Sequence, residues 1–445
     1  MRFEIPAIPA AMIRRLNEHG YQAYVVGGCV RDALLKREPH DWDICTNAKP
    51  EEVIACFPDK NVAKTGLQHG TVMVIDAGEG YEITTFRTDG AYSDHRHPDE
   101  VIFVSELRED LARRDFTINA MAYHPDEGIM DFYGGQQDLA NGVLRCVGVP
   151  EERFQEDGLR ILRALRFAAR FDFPIEEETG KAMHKCAYLL EHIAAERIFA
   201  ELKGFLVGKG VGKLLIEYRD IFAQILPPLG KMFDFEQHNP HHCYDVWRHT
   251  ATAVDHIAPE LPLRLTMLFH DCGKPDTISM DENGVGHFHR HGARSVELTE
   301  QMLTQLRCDN KLRDQVLLQV KYHDLPLPQT ASEGRKFMNK MGEEGALFSL
   351  EVHRADYMGQ APDRRPEKLA HYEQAKAVLN QLIEEEACFS LKDLAVKGRD
   401  LIDQGFRPGP PLGQILNRLL EAVLDGTCPN EQAALLSLAK EWENS

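Results

Sequence analysis

Two aspartates one residue apart, Asp41 and Asp43 in the run DWDIC, are the first residues whose type and spacing point to chemistry. If the run is a strand, period-two alternation aims both carboxylates at one face, about 7 Å apart at Cα. Such a pair can clamp divalent metal, and two Mg2+ ions about 4 Å apart stabilise both the attacking and the leaving oxygen of a phosphoryl transfer. A solvated turn would explain the same letters. Glu82 in YEITTF offers a third acidic group, with an exposed place on an edge strand as the plain alternative. Upstream, VVGGCVRDALL passes from a strand-like to a helical pattern at Gly27 and Gly28. Unobstructed backbone N–H groups at such a corner favour an anion like a triphosphate, although ordinary strand-to-helix turns use glycine too.

A third pairing is Asp157 with Arg160 in EDGLRILRALRF. The spacing predicts one helix face, on which an acceptor-only and a donor-only side chain could read a base edge together. Cytosine and adenine each present an exocyclic amine beside an unprotonated ring nitrogen and complement that pair. Uracil and guanine would set like groups against each other and leave buried polar atoms unpaired. An intrahelical ion pair on a wet face fits the spacing as well. The same helix carries Arg160, Arg163, Arg166 and Arg170 with no acidic residue from Gly158 to Phe171. At 100° per residue the arginines span about a 120° arc, opposite Leu162, Leu165, Ala168 and Ala169, which would pack inward.

Between residues 242 and 356 the chain holds His249, the adjacent pair His270–Asp271 after an apolar LTMLF run, His291, His323 and Asp356. Imidazoles with hard carboxylates suit Mn2+, Fe2+, Ni2+ or Mg2+ with open water positions. Any one of these histidines also reads as a packed or surface group. His270 and Asp271 need partners in any reading, because both begin inside or beside a core.

The elements that must position these residues change character along the chain. The first 145 residues mix short β-branched runs with turns and helical patches, and from about Glu151 long amphipathic helical stretches run almost to the end. The fold class is therefore α+β: an α/β head followed by mostly α-helical regions. The 445 residues suggest about three domains at roughly 150 each, with 43% hydrophobic residues to build their cores. Fifty-one basic against seventy acidic residues give a net charge of −19, which argues against nucleic-acid binding through bulk positive charge. Ten scattered cysteines without a CxxC pair indicate neither a zinc knuckle nor a disulfide framework, and fit a reducing cytoplasm. No secretory leader and no stretch of about 18 apolar residues is present, so neither secretion nor a membrane is expected.

In order along the chain, GGCVRD at 27 to 32, DWD at 41 to 43, RTDGAYSDHRHP at 87 to 98, RRDFTINAMA at 113 to 122, DFYGGQQDL at 131 to 139, EDGLRILRALRF at 156 to 167 and AAERIFAEL at 194 to 202 stand together. This series resembles the polymerase-beta-like nucleotidyltransferases, specifically the bacterial class II CCA-adding tRNA nucleotidyltransferases. The resemblance covers the first 215 residues closely, and LKDLAVKGRDLI with GPPLGQILNRLLEAVLDG is similar to the tail of these enzymes. It implies Asp41 and Asp43 as the catalytic pair holding Mg2+. It further implies Gly27, Gly28, Arg31, Arg113, Arg114, Asp115, Asp157, Arg160, Arg163 and Arg166 at the nucleotide, with Arg197 as a phosphate contact. Asp157 and Arg160 would serve as an amino-acid template for CTP and ATP. A flexible loop at 87 to 98 would be needed to accept ATP after two CTP additions.

The histidine series resembles the HD phosphohydrolase superfamily. His249, His270, Asp271 and Asp356 match its core ligands, and His291 and His323 the two additional histidines of its larger sites. That implies hydrolysis of a phosphoester by metal-activated water, on a substrate the residues do not specify. The resulting expectation is a cytoplasmic enzyme with tRNA, CTP and ATP as partners, and neither DNA nor a membrane. Its segments would be a head at 1–140, a neck and body at 141–230, an HD region at 231–365 and a tRNA-binding tail at 366–445. An A-adding enzyme or poly(A) polymerase shares nearly every head motif, though a strongly basic neck is absent. A phosphohydrolase with an RNA-binding head and an inactive RNA scaffold are further readings that an intact carboxylate pair disfavours.

Overall fold

The β-branched runs near the N-terminus pair into a mixed sheet whose centre is apolar on both faces. In the computed structural model the strands are β1 (Ala23–Val26), β2 (Ile44–Thr46), β3 (Asn61–Gly66), β4 (Thr71–Asp76), β5 (Glu79–Thr85), β6 (Arg87–Asp89), β7 (Val101–Phe103), β8 (Met121–His124) and β9 (Gly128–Asp131). Seven of them form one sheet in the order β3-β4-β5-β2-β1-β8-β9, while β6 and β7 make a separate antiparallel ribbon. Only β2 and β5 run parallel in the large sheet. All four residues of β1 are buried, as a central strand covered on both faces requires. β4 instead alternates, with Val72 and Val74 turned inward. The structure describes residues 3–90, 101–239 and 243–443.

Two units are formed by the chain. The first comprises Met1–Gly210 and Tyr218–Pro227, and contains the sheet together with the helices Pro150–Glu156, Leu159–Phe171, Glu177–Cys186 and Ala195–Leu206. In Leu159–Phe171 the residues Leu162, Leu165, Ala168 and Ala169 are all at most 3% exposed, so the apolar stripe packs inward as its period requires.

The second unit, Val211–Glu217 and Pro228–Ser445, is helical apart from a short ribbon of Ser279–Met280 with Gly286–His287. Its helices include Val246–His256, Leu261–Phe269, His291–Gln305, Asn310–Tyr322, Ala331–Met358 and Arg365–Glu384. The short helix Val211–Glu217 is fastened to this unit by Trp247, whose Nε1 donates to the Leu215 carbonyl at 3.0 Å. A separate apolar cluster holds the C-terminal helices Pro410–Asp425 and Gln432–Glu443 through Leu419, Val423 and Leu435. Among the described residues no helix is long and apolar enough to cross a membrane. The α+β class read from the sequence is the class observed.

Candidate active site and metal cluster

Gly27 ends β1 with φ at +80°, a left-handed conformation that disfavours any side chain. A Cβ there would also meet Arg114 Nη1 at 2.7 Å. Asp41 to Asp43 precede β2, which begins at Ile44, so the expected strand placement of this pair is corrected by a few residues. The Asp43 carbonyl still accepts from Val26 N at 3.0 Å, so the pairing of this segment with β1 begins at Asp43. β2 pairs in parallel with β5, Ile44 opposite Ile83, and this register sets Glu82 beside Asp43. Solvent reaches Asp43, yet the surrounding protein disfavours its charge. The carboxyl is raised above the ordinary aspartate value by burial, with Arg114 opposing the rise and Glu82 and Asp41 adding to it. Acidic groups crowded in this way fit a divalent cation.

A cleft of about 490 Å3 is lined by Gly28, Arg31, Asp43, Arg113, Arg114, Asp115, Asp157, Arg160, Arg163, Arg166 and Arg197, together with Asn119, Leu159, Phe167 and Arg170. Most of the head residues read from sequence therefore converge on one cleft; Gly27 precedes a lining residue and Asp41 lies two positions before one, and neither lines it. Within the cleft, Asp157 departs from expectation. It lies between two helices with extended backbone, φ −143° and ψ 104°, rather than on one helix face with Arg160. Gly158 permits the break by packing on Leu189, where a Cβ would come within 2.9 Å of Leu189 Cβ. Asp157 Oδ1 then accepts from Leu159 N at 3.1 Å, and its Oδ2 accepts from Arg197 Nη2 at 2.9 Å. Arg197 thus touches the expected base reader, where a phosphate contact was expected. Arg160 donates to the carbonyls of Arg153 at 2.9 Å and Arg113 at 3.0 Å, and pairs with Glu156.

The other arginines hold the walls as well as line them. Arg163 pairs with Asp115 at 2.6 Å, and Asp115 also accepts from Asn119 Nδ2 at 2.9 Å. Burial pushes Asp115 up, but Arg163 and Asn119 outweigh it and hold the carboxyl below its ordinary value. Arg31 is buried, bonded to both oxygens of Asp32 at 2.9 and 3.0 Å, and stacked near Phe167 and Phe171. Arg113 and Arg114 share Asp110. Arg166 pairs with Glu201. Asn119 and Glu201 were not singled out from the sequence, although both lie inside motifs that were. Of the loop expected at 87 to 98, residues 87–89 form β6, and residues 91–98 lie outside the described residues.

The second unit gathers the whole histidine series. His249, His270, Asp271 and Asp356 form one group, Asp271, His291 and His323 another, and in each the ligand atoms lie within 4.8 Å of one another. Asp271 belongs to both: its Oδ2 is 3.3 Å from His249 Nε2 and 3.2 Å from His270 Nε2, and its Oδ1 is 3.6 and 3.5 Å from His291 and His323 Nε2. Each imidazole turns its Nδ1 to a backbone carbonyl, of Gly359, Met267, Phe288 and Val320 respectively, at 2.7 to 3.0 Å. Those contacts fix Nδ1 as the protonated nitrogen and leave four Nε2 lone pairs converging. His249 and His270 bring theirs to 3.3 Å, His291 and His323 to 3.0 Å. Cations between them would satisfy every lone pair, so the residues fit divalent metal. Burial opposes charge on His270, but Asp271 and Asp356 raise it to about 10, so without metal its Nε2 carries a proton that a divalent cation would displace. Lys274, one turn after Asp271, lies 2.7 Å from its Oδ2. The spacing in HDCGK could have drawn attention to it.

A glycine corner, crowded carboxylates and an arginine-lined cleft on a mixed sheet define a nucleotidyltransferase of the poly(A) polymerase head type. Residues 23–145 match the family model "Poly A polymerase head domain", residues 172–231 "Probable RNA and SrmB- binding site of polymerase A", and residues 294–439 the model for domain 2 of tRNA nucleotidyltransferases. The chain is 33% identical to the CCA-adding enzyme of Ligilactobacillus salivarius, over 97% of this chain and 95% of that one. It is 37% identical to that of Lacticaseibacillus paracasei, over 98% and 96%. The Bacillus stearothermophilus CCA-adding enzyme in complex with CTP superposes with a TM-score of 0.69 at 29% identity, over 99% of this chain and 98% of that one. The chain belongs to the CCA-adding enzymes.

Proposed function

We propose that Asp41 and Asp43 carry the nucleotidyl transfer by which this CCA-adding enzyme extends tRNA with C, C and A from CTP and ATP. The observation that carries the assignment is the convergence of Asp43, the glycine corner, Asp157 and Arg160 on one arginine-lined cleft. Asp41 and Asp43, with Glu82 beside them, would hold Mg2+, which would supply Lewis acidity for the phosphoryl transfer. The protein's own part is placement. The Gly27–Gly28 backbone lets phosphate oxygens approach, and Arg113, Arg114 and Arg163 keep the wall positive where triphosphate charge gathers. Asp157 accepts from the exocyclic amine of cytosine or adenine, and Arg160 donates to the neighbouring ring nitrogen. Similarity to a CTP complex and to the Thermotoga maritima enzyme complexed with tRNA_CCA supports these partners. The four-segment division at 140, 230 and 365 goes with the reading, as does a reducing cytoplasm for ten cysteines that form no disulfide among the described residues.

The experiment offers tRNAs ending before CCA, after C and after CC, with single nucleotides, followed by sequencing of the 3′ ends. Addition of all three nucleotides by wild type and none by Asp41→Ala is expected. Addition of A alone, to the CC-ending tRNA, sinks the C-adding role, and an active Asp41→Ala sinks the carboxylate assignment.

The second cluster supports an HD-type phosphohydrolase site, with His249, His270, Asp271 and Asp356 on one side and His291, His323 and the shared Asp271 on the other. These residues would hold Mn2+, Ni2+, Fe2+ or Mg2+, which would supply Lewis acidity for phosphoester hydrolysis. Phosphatase activity that survives His270→Ala with Asp271→Ala speaks against it.

A further inference from the structure

The cleft beside the histidine cluster, about 510 Å3 in volume, carries two lysines of different standing. Lys274 is spent on the cluster itself: it lies 2.7 Å from Asp271 Oδ2 and donates to Gln237 Oε1 at 3.0 Å. Lys368 is not. It comes from the next helix, Arg365–Glu384, and its ammonium stands 5.2 Å from the centroid of the Tyr357 ring. Its hydrogen bond goes to a neutral acceptor, Gln360 Oε1, and no carboxylate pairs with it among the described residues.

Gln360 is held from both sides. Its amide nitrogen donates to Asp356 Oδ2 at 2.5 Å, while Arg365 donates to its backbone carbonyl at 2.8 and 3.1 Å. The turn between the two helices is thereby fixed, and with it the place of the ammonium relative to Asp356. Burial pushes the Lys368 amine below its usual value; Asp356 counters this, and Arg364 and Lys274 add to it. A half-buried cation lacking a paired anion beside a cluster that would hold divalent metal is matched by a ligand bringing several anionic oxygens. Phosphate meets that description, since one oxygen can face the metals while another turns to the lysine.

We propose that Lys368, positioned through Gln360, binds a non-bridging phosphate oxygen of the phosphoester taken by the second site. The inference rests on the reading of that site as a phosphohydrolase centre and extends its binding surface to a helix beyond the histidine series.

The full chain loaded with Mn2+ is titrated with inorganic phosphate by calorimetry, with metal content measured alongside. Lys368→Met is expected to keep its metal and its unfolding temperature but weaken phosphate binding about tenfold or more, with Lys368→Arg recovering much of the loss. For hydrolysis of a small phosphomonoester, KM should rise more than kcat falls. Unchanged phosphate affinity in metal-loaded Lys368→Met overturns the lysine's role while leaving the phosphohydrolase reading intact. Wild type that takes up no metal, or takes up metal and binds no phosphate, overturns that reading and the lysine's role with it.

Discussion

Arg197 Nη2 donates to Asp157 Oδ2 at 2.9 Å, so the carboxylate proposed to read the base is held by a residue from a different helix, Ala195–Leu206. A charge-assisted hydrogen bond of this kind contributes about 1.5–3 kcal/mol. Arg197→Ala should therefore lower kcat/KM for CTP and ATP about 10- to 100-fold and admit UTP relatively more, with Arg197→Lys intermediate. Single-nucleotide incorporation with all four triphosphates is the check. An equal loss for every nucleotide would mean that Arg197 acts on phosphates instead.

The glycine corner predicts an asymmetry between neighbours. Gly27→Ala forces a Cβ to 2.7 Å from Arg114 Nη1 at a φ of +80°, whereas the nearest atom to a Cβ on Gly28 is 3.5 Å away, in Arg31. Strain at a left-handed position costs about 1–3 kcal/mol. Gly27→Ala should lower the melting temperature and abolish transfer, while Gly28→Ala should fold normally and lose activity only through crowding of the phosphates. Thermal unfolding alongside activity distinguishes the two variants.

The Asp115–Arg163 pair gives the cleft a pH dependence. Asp115 is held below its ordinary value in the folded chain, so its contribution to stability is present above the unfolded aspartate pKa and is lost as pH falls through the folded value. Arg163→Ala should destabilise by about 1–3 kcal/mol at neutral pH, less than for a fully buried pair because Arg163 is 34% exposed. The difference from wild type should shrink in acid below the usual aspartate range. Urea unfolding at pH 7 and near pH 3 measures it, and a difference that does not change with pH refutes the attribution.

Metal at the second cluster should be countable apart from the head. With Asp271 shared between two ligand groups, two divalent ions at this cluster are expected per chain in an Asp41→Ala with Asp43→Ala background, and adding His291→Ala with His323→Ala should leave one. Saturating metal at a hundred times Kd stabilises by about 2.7 kcal/mol, so chelation should lower the melting temperature of wild type. The shift should persist in Asp41→Ala with Asp43→Ala. Mass-spectrometric metal analysis and thermal scans test both statements.

Legibility followed the range of the interaction. The inward stripe of Leu162, Leu165, Ala168 and Ala169 depends on helical period alone and was readable. That His270 and Asp271 need polar partners was readable from the apolar run before them, while the resemblance to the HD superfamily supplied which residues those partners are. The break at Asp157 was not, since it arises where Gly158 meets Leu189, a contact no local pattern announces. The partner of Arg166 was hidden for the same reason: Glu201 looks like an ordinary surface acid in the sequence and lies on a different helix. Lys368 gave no signal, because in the run DRRPEK at a helix start one more lysine reads as a solvated surface residue.

Val211–Glu217 belongs to the second unit although Tyr218–Pro227, later in the chain, belongs to the first. During synthesis the buried side chains of that short helix, Val211, Leu214 and Leu215, emerge from the ribosome before Val246–His256, which supplies the Trp247 contact. The first unit can close around Tyr218–Pro227 while this segment waits as an uncovered apolar stretch. A slow step between the emergence of that helix and the emergence of Val246–His256 would lengthen the wait and expose the nascent chain to premature association.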